Sequence, residues 1–342
     1  MNKTILVTGG TGYIGSHTSV ELIQKGYNVI IADSLENSEI SVLDGIESIS
    51  GVRPIFEKVD LSEQKECDDL FKKYPNIDAV IHFAAYKAVG ESVEKPIMYY
   101  RNNLNSLMNV LEGMKSIACS NLVFSSSCTV YGQPDLLPVT ENTPIQEANS
   151  PYGNTKQIAE EIIREFTNVN KDQRAIALRY FNPIGAHKSA ILGELPIGIP
   201  NNLVPFITQT AAGLRKELSV FGNDYDTIDG SAVRDYIHVV DLAKAHVTAI
   251  NRMIKNLNKS QVEYFNLGTG NGISVLECIK SFEKVSGLKL PYKIVDRRAG
   301  DIEKIWANTD YANTELGWKA ELGIDECMLS AWNWEKKIRN ID

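Results

Sequence analysis

Residues 10–15 read Gly10-Thr11-Gly12-Tyr13-Ile14-Gly15, a G-x-G-x-x-G pattern between an apolar run and a helix-like stretch. The run Thr4–Thr8 predicts a buried strand, and Ile14–Lys25 has the apolar spacing of a helix. Glycines in such a turn let the backbone approach a pyrophosphate closely, and the helix N-terminus offers unpaired N–H groups and a positive dipole end. The segment therefore predicts the first strand, turn and helix of a dinucleotide-binding fold.

Similar strand-like and helix-like segments alternate as far as residue 180. Short β-branched runs predict strands at Asn28–Ala32, Pro54–Val59, Ala79–Phe83, Asn121–Ser126 and Ala175–Arg179. Amphipathic stretches between them predict helices near Glu63–Lys73, Asn102–Ser116 and Tyr152–Thr167. Because strands joined through helices run parallel, we expect an α/β fold with a doubly wound, Rossmann-type parallel sheet.

The composition changes after residue 182. Loops rich in Gly, Pro and Asn surround a helix near Leu203–Arg215. Later segments predict a strand at Tyr264–Leu267 and helices near Val239–Ile254, Val275–Val285 and Gly323–Lys337. We predict a dinucleotide-binding domain over residues 1–182 and a smaller α/β substrate-binding domain over residues 183–342. Segments near residues 239–270 are expected to return to the first sheet.

Charge and composition exclude several classes of protein. The 342 residues include 35 basic and 43 acidic side chains, and the resulting net charge of −8 argues against a nucleic-acid partner. No apolar run reaches the roughly 18 residues that a membrane helix needs, and the first one is too short for a signal peptide. Five widely spaced cysteines suit free thiols in a reducing cytoplasm, and the sequence predicts no metal site.

An acidic residue follows the second predicted strand, because Asp33 lies 18 residues after Gly15. A carboxylate at this point accepts hydrogen bonds from a ribose 2′-hydroxyl and repels a 2′-phosphate, so the sequence predicts NAD rather than NADP as cofactor. Asp60-Leu61 and Phe83-Ala84 follow the third and fourth strands, where ligands lie in such sheets. For Asp60 an alternative stays open, as the N-cap of the helix near Glu63.

A tyrosine, a lysine and a serine predict the chemistry. Tyr152 and Lys156 stand four residues apart in a predicted helix, and of the 14 tyrosines only Tyr152 has a lysine at that spacing. A tyrosine with its usual pKa of about 10 is a poor base at neutral pH, and a nearby ammonium favours the phenolate. Ser127 ends the fifth strand and can share a hydrogen bond with the reacting oxygen. The three residues predict removal of a carbinol proton while a nicotinamide accepts hydride. For Ser125 and Ser126, a loop that satisfies its own backbone is the alternative.

Together, these residues resemble the extended short-chain dehydrogenase/reductase family, and longer stretches resemble the nucleotide-sugar 4-epimerases within it. The stretches are Val7–His17, Lys87–Ser92, Arg179–Pro183, Gly198–Leu203 and Val233–His238. The resemblance runs from residue 4 to about residue 335. It implies an NAD-dependent enzyme that interconverts UDP-glucose and UDP-galactose through a transient 4-keto sugar.

The resemblance also implies roles for individual positions. Ser127, Tyr152 and Lys156 match the catalytic triad. NAD contacts are implied at Gly9, Gly12, Tyr13, Ile14, Gly15, Asp33, Asn37, Ser38, Asp60, Leu61, Phe83, Ala84, Lys87, Asn102, Tyr152 and Lys156. UDP-sugar contacts are implied at Ser127, Tyr152, Asn182, Asn202, Leu203, Phe221, Arg234, Arg298, Asp301 and Ile305. Arg234 and Arg298 can supply bidentate donors to a diphosphate, with surface salt bridges as the alternative.

The residues after Ser127 distinguish two reactions. Dehydratases that resemble this chain typically carry Asp-Glu there, whereas this chain has Cys128 and Thr129. Without such an acid–base pair a 4-keto sugar can only be reduced again, which predicts epimerisation. Two alternatives stay open: an epimerase for N-acetylated or uronic UDP-sugars, and a non-enzymatic protein that senses NAD. Loss of the tyrosine or the lysine would be the mark of such a sensor.

One position bears on the range of substrates. In the epimerases that this chain resembles, the position matching Ile305 often filters the C2 substituent of the sugar by its size. Isoleucine is intermediate between the bulky tyrosine and the small residues found there, and it is stiff because it branches at Cβ. We expect activity on the plain UDP-hexoses, and turnover of UDP-N-acetylhexosamines stays an open alternative.

The predicted helices Asn102–Ser116 and Tyr152–Thr167 point to a homodimer. They carry more apolar residues than one sheet face needs, among them Leu104, Leu107, Val110, Ile158, Ile162 and Phe166. Pairing two such helices from each subunit makes a four-helix interface, which the resemblance also implies. The alternative is that all six side chains pack on their own sheet.

Overall fold

A computed structural model describes residues 2–298 and 302–341, and its first half alternates strands with helices. The strands are β1 (Thr4–Thr8), β2 (Asn28–Asp33), β3 (Ile55–Lys58), β4 (Ala79–His82), β5 (Asn121–Ser127) and β6 (Arg174–Tyr180). The helices are α1 (Tyr13–Gln24), α2 (Val42–Ser50), α3 (Gln64–Lys73), α4 (Val89–Glu94), α5 (Pro96–Ser116) and α6 (Pro151–Val169).

The second half has shorter strands. They are β7 (Asn182–Ile184), β8 (Leu218–Phe221), β9 (Val233–Arg234), β10 (Tyr236–His238), β11 (Val262–Leu267), β12 (Ile273–Ser274), β13 (Tyr292–Val295) and β14 (Lys304–Ile305). The helices are α7 (Leu203–Ala211), α8 (Val239–Ile254), α9 (Val275–Ser286) and α10 (Ile324–Arg339).

One large parallel sheet organises the molecule. Its seven strands lie in the order β3-β2-β1-β4-β5-β6-β11, and every neighbouring pair is parallel. The order reverses between β1 and β4, so the connections leave the carboxyl ends of these two strands in opposite directions. Such a switch point opens a crevice in which ligands bind.

Helices cover both faces of this sheet. In β1 the side chains of Ile5 and Val7 pack on the face covered by α1 and α8, and that of Leu6 packs on the face covered by α3, α5 and α6. All three side chains are fully buried. A strand buried on both faces favours a continuous apolar run rather than alternation, which is why the β1 segment reads as such a run.

The smaller strands and the last helices form a separate apolar cluster. Ile207 of α7, Phe282 of α9 and Trp332 of α10 meet in it. Three small sheets, β10-β7, β12-β9-β14 and β13-β8, lie in this half of the chain. β11 pairs with β6 of the large sheet and α8 packs against α1, while a domain boundary at residue 182 stays a prediction.

The predicted α/β class with its doubly wound parallel sheet is confirmed, and the strands of the first half end within two residues of their expected bounds. Two helices, α2 and α4, were not expected. Helix α5 begins at Pro96 rather than near Asn102, because proline fits the first turn of a helix, where its missing N–H has no partner to lose. Helix α7 ends at Ala211, before Gly213 with its φ of +75°, and so stops short of Arg215.

None of the helices described is long and apolar enough to cross a membrane.

Candidate active site

A cleft of about 1910 Å³ opens at the carboxyl ends of the large sheet. It is lined by every predicted site residue that the structure describes, which are Gly9, Gly12, Tyr13, Ile14, Gly15, Asp33, Asn37, Ser38, Asp60, Leu61, Phe83, Ala84, Lys87, Asn102, Ser127, Tyr152, Lys156, Asn182, Asn202, Leu203, Phe221, Arg234, Arg298 and Ile305. Asp301 lies outside the described residues. Two halves of the chain that are far apart in sequence therefore share one site.

The glycine-rich turn is tight enough to require its glycines. A Cβ on Gly15 would lie 2.3 Å from the carbonyl oxygen of Gly9, and Gly9 itself has a φ of +65°. Helix α1 begins directly after Gly12, which offers no side chain to cap it. Its first N–H groups therefore face the cleft, where they can bind a pyrophosphate. This cradle fits a dinucleotide.

Asp33 ends β2 at the wall of the cleft. Its carboxylate accepts hydrogen bonds from the Thr11 N–H at 3.1 Å, the Leu35 N–H at 3.0 Å and the Ser38 hydroxyl at 3.2 Å. The hydroxyl of Ser38 also lies 2.7 Å from that of Thr11. These contacts fix the carboxylate where ribose hydroxyls would meet it, and its negative charge opposes a 2′-phosphate.

Asp60 lines the cleft without capping helix α3. Its carboxylate accepts from the N–H of Ser62 at 2.9 Å and from the hydroxyl of Ser62 at 2.7 Å. The N-cap of α3 is Glu63, so the structure does not show the alternative role considered for Asp60. The short turn holds the aspartate at the end of β3.

Local sequence fixes the serine, tyrosine and lysine. Ser127 is the last residue of β5, and its Oγ accepts from the Thr129 N–H at 3.2 Å. Ser150 caps α6 by accepting from the Gly153 N–H at 3.1 Å, and Pro151 begins the helix just before Tyr152. The helix therefore starts at the cleft and places Tyr152 there.

Lys156 lies one turn further along α6. Its ammonium donates to the carbonyl oxygen of Ser125 at 2.6 Å. It also lies 4.9 Å from the ring centre of Phe124 and 5.9 Å from that of Tyr152. The lysine side chain is therefore held beside the tyrosine ring by a backbone group of β5.

Burial dominates the ionisation of this pair. It raises the pKa of Tyr152 to about 12, while a hydrogen bond with Ser127 acts in the opposite direction. Burial lowers the pKa of Lys156 to about 8, opposed by the carboxylate of Glu160. The spacing of Tyr152 and Lys156 in the sequence predicts a lowered tyrosine pKa beside the ammonium. Burial raises the pKa instead, because desolvation of the phenolate outweighs the hydrogen bond with Ser127.

Cationic and apolar groups line the other end of the cleft. Arg234 lies in β9 and donates to the carbonyl oxygens of Val233 at 2.9 Å and Glu303 at 3.4 Å. The guanidinium of Arg298 lies 5.5 Å from the ring centre of Phe221. Ile305, paired with Arg234 across β14 and β9, is buried at the wall of the cleft. An arginine pair of this kind suits a diphosphate.

Sequence reasoning missed two residues of the cleft. Glu194 accepts from the Asn202 amide at 2.5 Å and lies 3.5 Å from the Lys87 ammonium, so it joins a predicted substrate contact to a predicted cofactor contact. It lies in an irregular loop, where no pattern could have indicated it. Tyr180 hydrogen-bonds through its hydroxyl to that of Ser125. It stands inside a stretch that carried the resemblance, but without a role.

Comparisons with known proteins identify the family of the chain. The family model described as GDP-mannose 4,6 dehydratase matches residues 6–330. UDP-glucose 4-epimerase 2 of Arabidopsis thaliana is 49% identical over 337 residues, covering 98% of this chain and 95% of that protein. The UDP-glucose 4-epimerase of Bacillus subtilis (strain 168) is 49% identical over 336 residues, covering 98% of each.

A solved structure extends the comparison to the fold. UDP-glucose 4-epimerase from Bifidobacterium longum, in complex with NAD⁺ and UDP, superposes with a TM-score of 0.94 at 48% identity and covers 99% of this chain and 100% of its own. Similarity of this extent in sequence and fold shows that the chain belongs to the UDP-glucose 4-epimerases of the extended short-chain dehydrogenase/reductase family, which use NAD.

Proposed function

We propose that this protein interconverts UDP-glucose and UDP-galactose and keeps its NAD through each cycle. The observation that carries the proposal is the meeting of Ser127, Tyr152 and Lys156 with the glycine-rich cradle and Asp33 in one cleft. Residues suited to binding a dinucleotide lie beside residues suited to moving a carbinol proton. That combination fits a reaction in which hydride leaves and returns.

The cradle and Asp33 hold NAD in this proposal. The helix N-terminus at Gly12 binds the pyrophosphate, and the Asp33 carboxylate accepts hydrogen bonds from the adenosine ribose. Phe83, Ala84 and Ala85 line the cleft after β4, and the two small alanines leave room for the cofactor. When bound, NAD supplies a positively charged ring that takes hydride from the sugar C4 and gives it back.

Tyr152 moves the proton. Its phenolate takes the proton of the C4 hydroxyl as the ketone forms and returns it as the ketone is reduced, so no proton is lost over a cycle. The Ser127 hydroxyl hydrogen-bonds the reacting oxygen. The Lys156 ammonium, held at 2.6 Å from the Ser125 carbonyl, favours the phenolate from beside the ring.

Epimerisation requires a firm grip on the diphosphate and a loose one on the sugar. Arg234 and Arg298 can bind the diphosphate, whereas Ile305 offers the sugar an apolar wall without hydrogen bonds. The sugar can then turn about its bond to the diphosphate and present its other face. Cys128 and Thr129, which follow Ser127, supply no carboxylate for the elimination that a dehydratase performs.

We also propose that the protein acts as a homodimer. Leu107 and Val110 of α5 are fully buried against their own sheet. The other four predicted interface side chains, Leu104, Ile158, Ile162 and Phe166, are only half-buried. Apolar area thus remains on α5 and α6, as a four-helix interface needs. Light scattering that gives the mass of a single chain at micromolar concentration would contradict the dimer.

We place the enzyme in the cytoplasm and in galactose metabolism. All five cysteines are free thiols, which suits a reducing compartment. Interconversion of the two UDP-hexoses is the step that brings galactose into, and out of, the pool of glucose nucleotides. It also supplies both sugars as activated donors.

One assay tests the proposed activity. Purified protein should convert UDP-galactose to UDP-glucose, with no net change in added NAD or NADH absorbance. A protein that binds NAD but converts none of the UDP-hexoses would favour the NAD-sensing alternative and contradict the proposal.

A further inference from the structure

A buried ion pair contacts Ser126, the residue next to Ser127. Glu160 of α6 and Arg179 of β6 form a bidentate pair, with Nε to Oε1 at 2.9 Å and Nη2 to Oε2 at 2.6 Å. Both side chains are about 5% exposed or less. Arg179 also donates to the Tyr131 hydroxyl at 3.1 Å and lies over the rings of Tyr131 and Tyr264. Neither residue of the pair lines the cleft.

Ser126 connects this pair to the active site. Its fully buried hydroxyl donates to Oε1 of Glu160 at 2.5 Å. Ser126 lies opposite Arg179 in the register of β5 and β6. Because side chains alternate along a strand, Ser125 and Ser127 point to the opposite side from Ser126. The middle serine therefore anchors the strand while its neighbours take part in the site.

Two side chains of α6 form hydrogen bonds with the end of β5. Lys156 donates to the carbonyl oxygen of Ser125, and Glu160, one turn later, accepts from the hydroxyl of Ser126. Tyr152, Lys156 and Glu160 are spaced by four residues, so they follow one face of α6. The hydrogen bonds that fix the peptides of Ser125 and Ser126 therefore also fix Ser127 relative to Tyr152.

A gain in stability does not by itself explain the presence of a buried ion pair. Burying two charges costs desolvation energy, and replacing a buried ion pair by apolar residues of similar volume is often neutral or stabilising. The chain holds a second pair of the same build, Arg252 with Glu263, joined at 2.8 Å through both nitrogens and equally buried. Among the residues that the structure describes, no serine joins that second pair to the cleft.

We propose that Glu160 and Arg179 are positioning residues that act through Ser126 to fix the distance between Ser127 and Tyr152. The inference rests on the proposed epimerase function. It assigns to the pair a share of kcat rather than of substrate binding, because the alignment of the reacting groups is what the hydrogen bond between Ser126 and Glu160 controls. The UDP-binding end of the cleft does not depend on it.

The first test removes one hydroxyl at a time. In Ser126→Ala, kcat for UDP-galactose should fall about tenfold, since small misplacements of catalytic groups are costly. KM, the Kd for UDP and the midpoint of thermal unfolding should stay close to wild type. Ser281→Ala is the matched control, because Ser281 is buried and donates to the Asp325 carboxylate at 2.6 Å, and neither residue lines the cleft. Its kcat should be unchanged.

The second test removes one charge from each pair. Glu160→Gln should lower kcat about tenfold or more, whereas Glu263→Gln should lower only the stability, when both are assayed well below their unfolding midpoints. A wild-type kcat in Ser126→Ala would overturn the positioning role. Equal losses of kcat in Ser126→Ala and Ser281→Ala, or in Glu160→Gln and Glu263→Gln, would overturn it as well. A wild-type protein without epimerase activity would contradict the proposed function instead, before any variant is compared.

Discussion

Tyr152 and Lys156 lie one helical turn apart, and burial moves their pKa values in opposite directions, to about 12 for the tyrosine and about 8 for the lysine. In free side chains these two pKa values lie close together, and burial separates them because it favours the neutral form of each group. At neutral pH the tyrosine keeps its proton and the lysine keeps its charge. The phenolate therefore depends on positive charge in the cleft, and the Lys156 ammonium lies 5.9 Å from the centre of the tyrosine ring.

Replacing Tyr152 with Phe should stop the chemistry and spare binding. The variant loses only the hydroxyl that accepts the C4 proton, so kcat should fall by about 10²–10⁴. The Kd values for UDP and NAD, measured by calorimetry, should stay near those of wild type. Tyr27→Phe is a suitable control, since its hydroxyl donates to Asn251 at 2.6 Å away from the cleft. Near-normal turnover in Tyr152→Phe would refute the role of the tyrosine.

Replacing Lys156 with Met should slow turnover and move its pH dependence toward alkaline pH. Burial already raises the pKa of Tyr152, and removal of the ammonium withdraws a charge that favours the phenolate. The measurement is kcat between pH 6 and about pH 10, where the phenolate population sets the rate. A profile of wild-type shape, merely lower, would show that the lysine does not act on the tyrosine.

The same Lys156→Met variant should be more stable than wild type at neutral pH. The folded-state pKa of about 8 lies below the usual 10.5, so the folded protein carries the full cost of the buried charge below about pH 8. Between these two values the unfolded chain binds more protons, and the stability of the wild type rises with pH. We expect the variant to gain about 1–3 kcal/mol in the free energy of unfolding at pH 7, and less as the pH approaches 10.5. Urea unfolding of both proteins at several pH values measures it, and a constant difference would contradict the prediction.

The sequence predicts those parts of the molecule that depend on local pattern. The run Thr4–Thr8 is apolar throughout and forms β1 with the expected bounds. Gly15 and Tyr152 belong to short motifs whose spacing carries their geometry. Contacts between distant segments escape such reasoning. Glu160 and Arg179 stand 19 residues apart on a helix and a strand, and no periodicity indicates that they meet.

The direction in which the pKa of Tyr152 shifts could not be predicted from the sequence for a related reason. A lysine four residues away can be read from the sequence, but the extent to which a ring is buried depends on the whole fold. Glu194 is a further case, because it reaches Lys87 and Asn202 from a loop without regular structure. The sequence therefore predicts which chemical groups are present more reliably than it predicts their environment.

Replacing Asp33 with Asn should weaken NAD binding and reduce the preference over NADP. The carboxylate is held by Thr11, Leu35 and Ser38, and loss of its charge removes both a strong acceptor for the ribose and the repulsion of a 2′-phosphate. The affinity for NAD should fall about tenfold or more, since hydrogen bonds to charged groups are worth about 1.5–3 kcal/mol. Asp69→Asn, at an exposed carboxylate that pairs with Lys65 and does not line the cleft, is the control. An unchanged ratio of the NAD and NADP affinities would contradict the role of Asp33.

Cys128 should be inert although it follows Ser127. Burial raises the pKa of its thiol to about 12, so the thiolate is scarce at neutral pH. Alkylation with iodoacetamide should leave Cys128 unmodified, as mass spectrometry of the digested protein would show. Cys128→Ala should keep kcat within about twofold of wild type, as a substitution of a small packing residue usually does. Selective alkylation at Cys128 with loss of activity would overturn this view.

We expect Ile305 to limit which UDP-sugars the enzyme accepts as substrates. It is 2% exposed, lines the cleft, and packs with Phe181 and Ala307 in one apolar cluster. A tyrosine at this position is larger and would fill space beside the sugar, so Ile305→Tyr should lose any turnover of UDP-N-acetylglucosamine and keep that of UDP-glucose. Overpacking of the cluster costs about 1–3 kcal/mol, which unfolding measurements would separate from the change in specificity. The assay compares kcat/KM for both sugar pairs in wild type and variant. If wild type turns over the N-acetyl pair and Ile305→Tyr retains that activity undiminished, Ile305 is not the filter.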